Sequence, residues 1–383
     1  MHPNEPKPGR PHSYQEYDPR HAHDSLSDDD MARDRTGGGG APGKWSKKVW
    51  IGIGVGVVIA IAIGVGVGVG VSEAKKRNAY PDYAQVAYSL KETYEGANFF
   101  DKFDYFTGYD PTSGFVHYVP AEQAAQLNLT YATDDAAVLR VDTTVGPGDE
   151  PDASTGRFSV RVTSKTTYDE GLFLFDVKHT PYGCGTWPAL WLTDPSNWPD
   201  NGEVDIMEAI NQADEGNQMT LHTSKGCSVG GVKRKQSGDS LSGTCNANKN
   251  DNAGCGVEGD EDSYGQGFND KDGGMMAVEW RDAGIRMWQF ARDDIPDDIT
   301  SQKPDPSTWG TAAADFPSTK CDIGSHFRNQ SIVVNINLCG ELVYAKYEDS
   351  GCPSNCQDYV ASNPGAFSNA FWEFGKFEVY QSS

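Results

Sequence analysis

Three carboxylates crowd the short segment Asn201-Gly-Glu-Val-Asp-Ile-Met-Glu-Ala-Ile210. Glu203, Asp205 and Glu208 alternate there with apolar side chains, a pattern that predicts a half-buried β-strand. On a regular strand Glu203 and Asp205 share one face, whereas Glu208 would point to the opposite face, into the core. One extra residue between Asp205 and Glu208, a β-bulge, returns Glu208 to the face of the other two. The spacing therefore predicts a bulge in this strand.

With that bulge, the Cα atoms of Glu203 and Glu208 lie about 13 Å apart, which is four strand positions at about 3.3 Å each. Carboxyl groups that lean together to about 5 to 5.5 Å have the geometry of a retaining glycosidase, in which one attacks the anomeric carbon and the other protonates the leaving oxygen. We expect Asp205 to keep Glu203 ionised, and the crowding of like charges to raise the pKa of Glu208 toward that of an acid catalyst. The alternatives are a solvated acidic strand edge and a calcium-ligating patch.

Aromatic residues flank the acidic strand in the sequence. Three tryptophans precede it, and each could stack on the C–H face of a sugar ring or pack in the core: Trp187, Trp191 and Trp198. His222 follows the strand and alternates with apolar residues, so it either stands beside the acid/base or is an ordinary satisfied histidine. Together with Arg161 and Asn337, these four residues form the predicted substrate-binding set.

The elements that must position these residues are short. From Tyr88 to Tyr380 the chain consists of runs rich in Val, Phe, Tyr and Thr, separated by clusters of Gly, Asp, Asn, Ser and Pro. This texture predicts an all-β fold of antiparallel strands in two packed sheets, a β-sandwich. The polar interval from Gly226 to Gly274 is predicted to be a structured loop that cysteines tie down. The clearest predicted strands are Arg157–Thr163, Gly171–Val177, Met219–Thr223, Met276–Trp280, Ile285–Phe290 and Ser331–Leu338.

The first part of the chain has a different composition. Residues 1–48 are rich in Pro, Gly, Asp, His and Arg and poor in aliphatic residues, which predicts a disordered tail. Residues 49–71 carry no charge, and a helix of that length covers about 34 Å, enough to span a membrane. A secretory signal and a buried strand are the alternatives. We expect a cytoplasmic tail at 1–48, a transmembrane helix at 49–71, a stem at 72–85 and a catalytic domain at 86–383.

All eight cysteines follow residue 71, and so do two glycosylation sequons, which begin at Asn128 and Asn329. Both features predict that this side of the span lies outside the cell or in the secretory lumen, with the cysteines in disulfides whose pairing the sequence leaves open. The alternatives are free buried thiols and a zinc site, of which zinc is the weaker, because Cys352 and Cys356 are the only closely spaced pair. The net charge of −23 argues against nucleic acid as a partner and is compatible with a neutral polysaccharide.

At these residues the chain resembles glycoside hydrolase family 16, in the fungal laminarinase-like endo-1,3(4)-β-glucanase group. The resemblance covers nearly all of residues 90–381. Besides the acidic strand, its motifs are Phe100-Asp-Lys-Phe-Asp-Tyr-Phe, Asp110-Pro-Thr-Ser-Gly-Phe-Val, Ser159-Val-Arg-Val-Thr-Ser-Lys, Gly183-Cys-Gly-Thr-Trp-Pro, Asn217-Gln-Met-Thr-Leu-His-Thr, Asn252-Ala-Gly-Cys-Gly-Val and Ser350-Gly-Cys-Pro.

The resemblance implies a concanavalin-like jelly roll with a long cleft. It also implies roles as nucleophile for Glu203, assisting acid for Asp205 and acid/base for Glu208. The implied substrates are β-1,3-glucan and mixed-linkage β-1,3/1,4-glucan, with no required cofactor and a structural calcium ion left open.

Two segments depart from the pattern of that group. Where relatives often show Cys-Gly-Asp-Trp, this chain reads Cys339-Gly-Glu-Leu342, and where they often have Phe-Pro-Arg-Ser it has Phe290-Ala-Arg-Asp293. We expect both segments to contact substrate, so they bear on linkage preference. The sequence predicts a membrane-anchored endo-β-glucanase. The alternatives are a wall-remodelling transglycosylase and a lectin-like binding module, against which the intact acidic triad argues.

Overall fold

The computed structural model describes residues 79–149 and 155–382. The predicted tail, the predicted membrane span and the first part of the predicted stem lie outside these described residues. In the part of the chain that is described, no helix is long and apolar enough to cross a membrane. The boundaries predicted after residues 48, 71 and 85 therefore stay predictions.

Strands dominate the described residues, because runs of β-branched and aromatic side chains alternate with turn residues. In chain order they are β1 (Tyr88–Tyr94), β2 (Phe103–Tyr105), β3 (Val116–Tyr118), β4 (Thr130–Ala132), β5 (Ala137–Arg140), β6 (Arg157–Ser159), β7 (Arg161–Tyr168), β8 (Gly171–His179), β9 (Thr186–Thr193), β10 (Glu203–Glu208), β11 (Gln218–His222), β12 (Asp239–Ser240), β13 (Cys255–Glu258), β14 (Gly274–Arg281), β15 (Gly284–Ala291), β16 (Ala314–Pro317), β17 (Gln330–Leu338) and β18 (Phe371–Ser382). The α-helices are short: α1 (Ala121–Gln126), α2 (Gly265–Asn269), α3 (Asp297–Thr300), α4 (Ile323–His326), α5 (Glu341–Lys346) and α6 (Cys356–Ser362).

Most of these strands belong to two antiparallel sheets. The front sheet has the order β12-β13-β11-β10-β9-β17-β7-β2. The back sheet has the order β16-β15-β14-β8-β18-β5-β4, and β1 also pairs with β18. Strands that are far apart in the sequence, such as β9 and β17, are neighbours in the front sheet, as in a jelly roll rather than a simple meander. The two-sheet sandwich predicted from the sequence is confirmed.

The hydrophobic core lies between the two sheets. The front sheet contributes alternate residues of β9 and three residues of β10, two of which are adjacent, and all nine positions of β17 are buried. Burial at both faces is expected of a central strand that packs against the core on one side and carries site residues on the other. The core holds the front sheet rigid under the acidic strand. Its members from the two sheets include Val162, Leu190, Leu192, Val204, Ile336, Phe173, Phe175, Val278 and Phe377.

The described part of the predicted stem packs against the back sheet. Tyr80 and Tyr83 donate hydrogen bonds to the two carboxylate oxygens of Asp315 on β16, at 2.9 and 3.3 Å. Tyr88, at the start of β1, donates to Glu279 on β14 at 3.1 Å. Because both carboxylates are buried, these phenols supply hydrogen-bond donors that water cannot supply there. Residues 79–88 therefore form a strap that is fixed to the domain.

Replacing Asp315 with alanine should destabilise the domain by about 3 kcal/mol, because it removes a buried acceptor that three partly buried hydrogen bonds share. Their donors are the hydroxyls of Tyr80 and Tyr83 and the backbone N–H of Lys235. Thermal unfolding of the variant measures the loss. The matched control is Asp82→Ala on the exposed side of the same strap, and an equal melting temperature for both variants would contradict the role of Asp315.

All eight cysteines lie in the described residues, and all of them form disulfides. The predicted loop from 226 to 274 is tied down as expected, by the Cys227–Cys321 and Cys245–Cys255 bridges. The other two bridges, Cys184–Cys352 and Cys339–Cys356, join the start of β9 and the end of β17 to the segment around α6. The zinc alternative is therefore wrong, since every thiol is consumed.

Candidate active site

The bulge predicted in the acidic strand is present. Along β10, Asp205 pairs with Trp191 of β9 and Met207 pairs with the next residue, Leu190, so Ile206 is the extra residue. Ile206 and Met207 are both fully buried in the core. Glu208 then pairs opposite Ala189, on the same face of the sheet as Asp205 and Glu203. The three carboxylates therefore share the exposed face of the front sheet.

Each of the two glutamates is held by an indole. Trp187 donates from Nε1 to Oε1 of Glu208 at 2.7 Å. Trp198, in the loop that precedes β10, interacts with Glu203 and lowers its pKa, and this tryptophan is 45% exposed. One carboxylate oxygen of Glu208 is fixed in this way and the other is left to meet a substrate. Two of the three predicted tryptophans therefore orient the carboxylates as well as offering aromatic faces.

His222 faces the middle carboxylate. Its Nε2 lies 3.3 Å from Oδ2 of Asp205, and its Nδ1 lies 2.9 Å from Oδ1 of Asn252. Asn252 can accept only through this oxygen, so the ring donates from both nitrogens when it is protonated. His222 therefore lies within the acidic cluster, where it contacts the carboxylate of Asp205, and its predicted role beside the acid/base stays a prediction.

The carboxylates and His222 shift one another's pKa. Burial, followed by the charge of Asp205, raises the pKa of Glu203 to about 7. Burial also raises the pKa of Asp205 to about 6 and raises that of Glu208. For His222, burial lowers the pKa, but Asp205, Glu203 and Glu208 outweigh it and raise the pKa to about 10. The ring is therefore an imidazolium that offsets part of the negative charge.

This arrangement corrects the role predicted for Asp205. An ionised Asp205 raises the pKa of Glu203, because like charges repel, so Asp205 does not itself keep Glu203 ionised. The group that favours the ionised form of Glu203 is the imidazolium of His222. Asp205 contributes by keeping His222 protonated.

Replacing His222 with glutamine should move the acid limb of the pH profile of kcat/KM to higher pH. The imidazolium lowers the pKa of Glu203, so a neutral side chain lets that pKa rise above about 7 and keeps Glu203 protonated up to a higher pH than in the wild type. On the acid limb, kcat/KM at a fixed pH should fall about tenfold if the pKa of Glu203 rises by about one pH unit. The control is His117→Gln on β3, whose ring hydrogen-bonds to Thr155. An unmoved limb in the His222 variant would contradict the assignment.

The remaining predicted residues lie on β7, β9 and β17 of the front sheet. Trp191 donates to Oδ1 of Asn335 at 2.8 Å, and the guanidinium of Arg161 lies 5.0 Å from the Trp191 ring. The Nε of Arg161 is buried and has no hydrogen-bond partner among the described residues. Arg161, Asn335 and Trp191 therefore form one group beside the triad.

Asn337 is bonded within the protein. Its Nδ2 donates to Oδ2 of Asp110 at 3.0 Å and to Oγ1 of Thr112 at 2.8 Å, while its Oδ1 accepts from the backbone N–H of Leu338. The amide is 3% exposed and its polar atoms are bonded within the protein. Asn337 fixes the loop that contains Asp110, and its predicted contact with substrate stays a prediction. Asn335, two positions earlier on the same face, is likewise buried and accepts from Trp191.

The two segments that depart from the pattern of the laminarinase-like group, Cys339–Leu342 and Phe290–Asp293, lie in different parts of the fold. Gly340 has a φ of +89°, and a side chain there would come within 3.2 Å of the Trp187 ring, so the segment from Cys339 to Leu342 borders the site as expected. In contrast, Arg292 bonds at 2.6 Å to Asp176 on β8, in the back sheet. The expectation that the Phe290–Asp293 segment touches substrate is wrong, because its arginine is committed to the back sheet.

Sequence reasoning missed Asn335, Asn252 and Asp194. Asn335 shares the period-two face of β17 with Asn337, and this spacing could have identified it. Asn252 opens one of the quoted motifs, but its distance from His222 along the chain hides the contact. Asp194 stands in a turn rich in Asp, Ser and Asn, and such a turn gives no sign that its carboxylate is buried.

Glu203, Asp205 and His222 also have the composition of a metal site. Their candidate ligand atoms lie within 4.8 Å of one another. A metal would need the neutral imidazole, whereas Asp205 and the two glutamates raise the pKa of His222 to about 10. Calcium, which prefers oxygen ligands throughout, fits this set poorly. The three side chains are better suited to shifting one another's pKa than to binding a metal.

The sequence and structure were compared with known proteins. The model of the XgeA-like, catalytic GH16 domain family matches residues 103–380. A probable glycosidase of Schizosaccharomyces pombe is 42% identical, and the match covers 80% of this chain and 72% of that protein. The endo-1,3(4)-beta-glucanase XgeA of Emericella nidulans is 38% identical over 79% of this chain and 49% of its own length. The chain thus spans about half of this second relative.

Two solved structures have the same fold at substantial identity. Laminarinase 16A of Phanerochaete chrysosporium, with β-glucans in its donor and acceptor sites, gives a TM-score of 0.73 at 41% identity, over 77% of this chain and 100% of that one. An elongating family 16 β-1,3-glucosyltransferase gives a TM-score of 0.71 at 37% identity, with the same coverage.

Proposed function

Because the chain belongs to glycoside hydrolase family 16, we propose that it is a retaining, endo-acting hydrolase of β-1,3-glucan and mixed-linkage β-1,3/1,4-glucan. The observation that carries the proposal is the bulge at Ile206, which places Glu203 and Glu208 on one face of β10. The named relatives support the substrate class, since they include endo-1,3(4)-beta-glucanases and a laminarinase.

In the proposed reaction, Glu203 attacks the anomeric carbon while Glu208 gives its proton to the departing glycosidic oxygen. Water then attacks the glycosyl-enzyme, and Glu208 takes a proton from it as general base. Two inversions at the same carbon give net retention. Burial, which raises the pKa of Glu208, keeps a proton available for the first step, and the imidazolium of His222 favours the ionised nucleophile.

A digestion panel tests the proposal. The purified domain is incubated with β-1,3, mixed-linkage β-1,3/1,4, β-1,6 and β-1,4 glucans, and the products are separated by size. We expect oligosaccharides from the first two polymers and the β-anomer as the first product in NMR spectra. Absence of cleavage on every polymer, or an initial α-anomer, would contradict the proposal.

Transglycosylation is the second candidate, and the similarity to the elongating glucosyltransferase favours it specifically. In this reaction a sugar hydroxyl, rather than water, takes the glycosyl group from Glu203. Adding a laminari-oligosaccharide acceptor separates the two outcomes. Products longer than the substrate indicate transfer, and only shorter products indicate hydrolysis.

We also propose that catalysis needs no cofactor. The triad supplies both the nucleophile and the proton, so no metal is required to activate water. Activity that survives dialysis against EDTA is the expected result. A fall in melting temperature without loss of activity at low temperature would identify a structural calcium ion instead.

For location, we propose a single-pass membrane protein with its N-terminus in the cytoplasm and the catalytic domain outside the cell or in the secretory lumen. Four disulfides in the domain support an oxidising compartment, and the uncharged residues 49–71 support the span. Protease protection of sealed membranes tests this arrangement. Digestion of the domain from the cytoplasmic side would contradict it.

A further inference from the structure

The loop between β9 and β10, residues 194–202, carries Trp198 to the proposed nucleophile. The indole interacts with Glu203 and lowers its pKa, yet almost half of this tryptophan is exposed. A half-exposed tryptophan has little core packing to fix it, so the loop backbone must hold it in place. The contacts of Asp194 provide this support.

Asp194, at the start of the loop, is 2% exposed and is surrounded by neutral donors. Its carboxylate accepts from the Nδ2 atoms of Asn197 and Asn201, each at 2.8 Å, and from the backbone N–H of Ser196 at 3.0 Å. Asn329, just before β17, donates from its Nδ2 at 3.0 Å. We call Asp194 and these four partners the Asp194 cradle. The Asp194 cradle joins the start of the loop to its later residues and also to the segment just before β17.

Burial alone would raise the pKa of Asp194, but the donors from Asn329, Asn197 and Asn201 lower it to about 2. The carboxylate is therefore ionised at every pH at which a glycosidase works, and its hydrogen bonds are charge-assisted. A buried charge held by four donors has one favourable geometry, because losing any partner leaves it poorly solvated. The cradle is consequently a rigid anchor for the loop.

Further contacts extend the anchoring through the rest of the loop. The side chain of Gln330 donates to the backbone oxygen of Asn201 at 2.6 Å. The backbone N–H of Ser224 donates to the oxygen of Pro199, the residue after Trp198, at 3.1 Å. Both ends of the tryptophan segment are thereby fixed, and the cradle bonds to residues on either side of it.

We propose that Asp194 is a positioning residue that acts through Trp198. The cradle holds the loop so that the indole stands against Glu203 and forms one wall of the site that receives the sugar. Asp194 has no role in the chemistry itself, and its effect reaches the reaction only through the tryptophan. The proposal rests on the proposed function, in which Glu203 is the nucleophile.

The test is a double-mutant cycle of Asp194→Asn and Trp198→Ala, measured as kcat, KM and kcat/KM on laminarin. Asp194→Asn keeps the shape but replaces an acceptor with an amide that repels the donors of the cradle. We expect kcat/KM to fall about tenfold, since misplacing a group by a fraction of an ångström has effects of this size. In the Trp198→Ala background the same change should alter kcat/KM less than about twofold.

The pH profile gives a second readout. Trp198 lowers the pKa of Glu203, while Asp205 raises it and His222 and Arg161 lower it. Displacing the indole should move the acid limb to higher pH by the same amount in Asp194→Asn and Trp198→Ala, with no further move in the double variant. A purely structural role for Asp194 would lower the melting temperature without moving this limb.

The control is Asp200→Asn, the same substitution at an exposed position of the same loop, and it should leave both kcat and KM unchanged. If Asp194→Asn does not fold, Asn329→Ala, which removes one donor from outside the loop, replaces it in the double-mutant cycle with Trp198→Ala. Losses that multiply in the double variant would overturn the proposal. A wild type that cleaves no β-glucan would overturn the proposed function, and this inference with it, whereas an active wild type with multiplying losses overturns the inference alone.

Discussion

Replacing Glu203 with alanine is expected to abolish the release of reducing ends from laminarin, with kcat/KM lower by at least about 10⁴-fold. Without this carboxylate no group on the front sheet can form the glycosyl-enzyme, because Asp205 is turned toward His222 and Glu208 is needed as the acid. Added azide should restore turnover of an activated aryl β-glycoside and give an α-glycosyl azide, since only one inversion then occurs.

The stability of Glu203→Gln separates loss of chemistry from loss of fold. The pKa of Glu203 is raised from 4.5 to about 7, so the folded state binds the proton more tightly than the unfolded state. Stability from this group is present below pH 4.5 and is lost as the pH rises through about 7. The glutamine variant has no charge to bury, so it should melt at an equal or higher temperature than the wild type at pH 8.

The control for both variants is Glu122→Ala, at an exposed position of α1, which should retain wild-type activity. An alanine variant with activity within tenfold of the wild type would end the assignment of Glu203 as nucleophile. A glutamine variant that is inactive and also melts much lower would point to a structural role instead. A stable, inactive variant is the pattern of a catalytic group that destabilises its own fold.

The local pattern of the sequence was enough to predict the strands and the bulge. Alternation of side chains along a strand is a property of neighbouring residues, so the spacing of Glu203, Asp205 and Glu208 allowed only one arrangement with all three on one face. The predicted strand at Arg157–Thr163 was less accurate. The structure divides it after Ser159, where β6 pairs with β3 and β7 joins the front sheet.

Contacts between distant parts of the chain could not be predicted in this way. In the strap, Tyr80, Tyr83 and Tyr88 bond to acids about 190 to 235 positions away, so the sequence of the predicted stem at 72–85 gave no sign of these contacts. The pKa of Glu203 also depends on the charge of His222, which lies on the neighbouring strand β11. Charge and burial at a site are set by the whole fold, so only the residue types were visible beforehand.

The remaining prediction concerns Glu208, and it depends on the leaving group. Glu208→Ala should lower kcat/KM on laminarin by about 10²- to 10⁴-fold, the usual contribution of a general acid. A dinitrophenyl β-laminaribioside needs no proton to depart, so its glycosylation step should stay close to the wild-type rate. The glycosyl-enzyme should then accumulate, because no base activates water. Azide should release it as a β-glycosyl azide.

The opposite anomers expected from the two alanine variants are what assign the roles. With Glu203 absent, azide attacks the substrate directly and inverts it once, whereas with Glu208 absent, azide attacks a carbon that Glu203 has already inverted. A β-azide from the Glu203 variant would contradict the assignment of Glu203 as nucleophile. Equal losses of kcat/KM on laminarin and on the dinitrophenyl glycoside in the Glu208 variant would contradict the assignment of Glu208 as general acid. Trp187→Phe is the matched test of the acid, because it removes the hydrogen bond to Glu208 but keeps an aromatic ring. That bond lowers the pKa of Glu208, so its loss should move the alkaline limb of the pH profile to higher pH, although the carboxylate itself is retained.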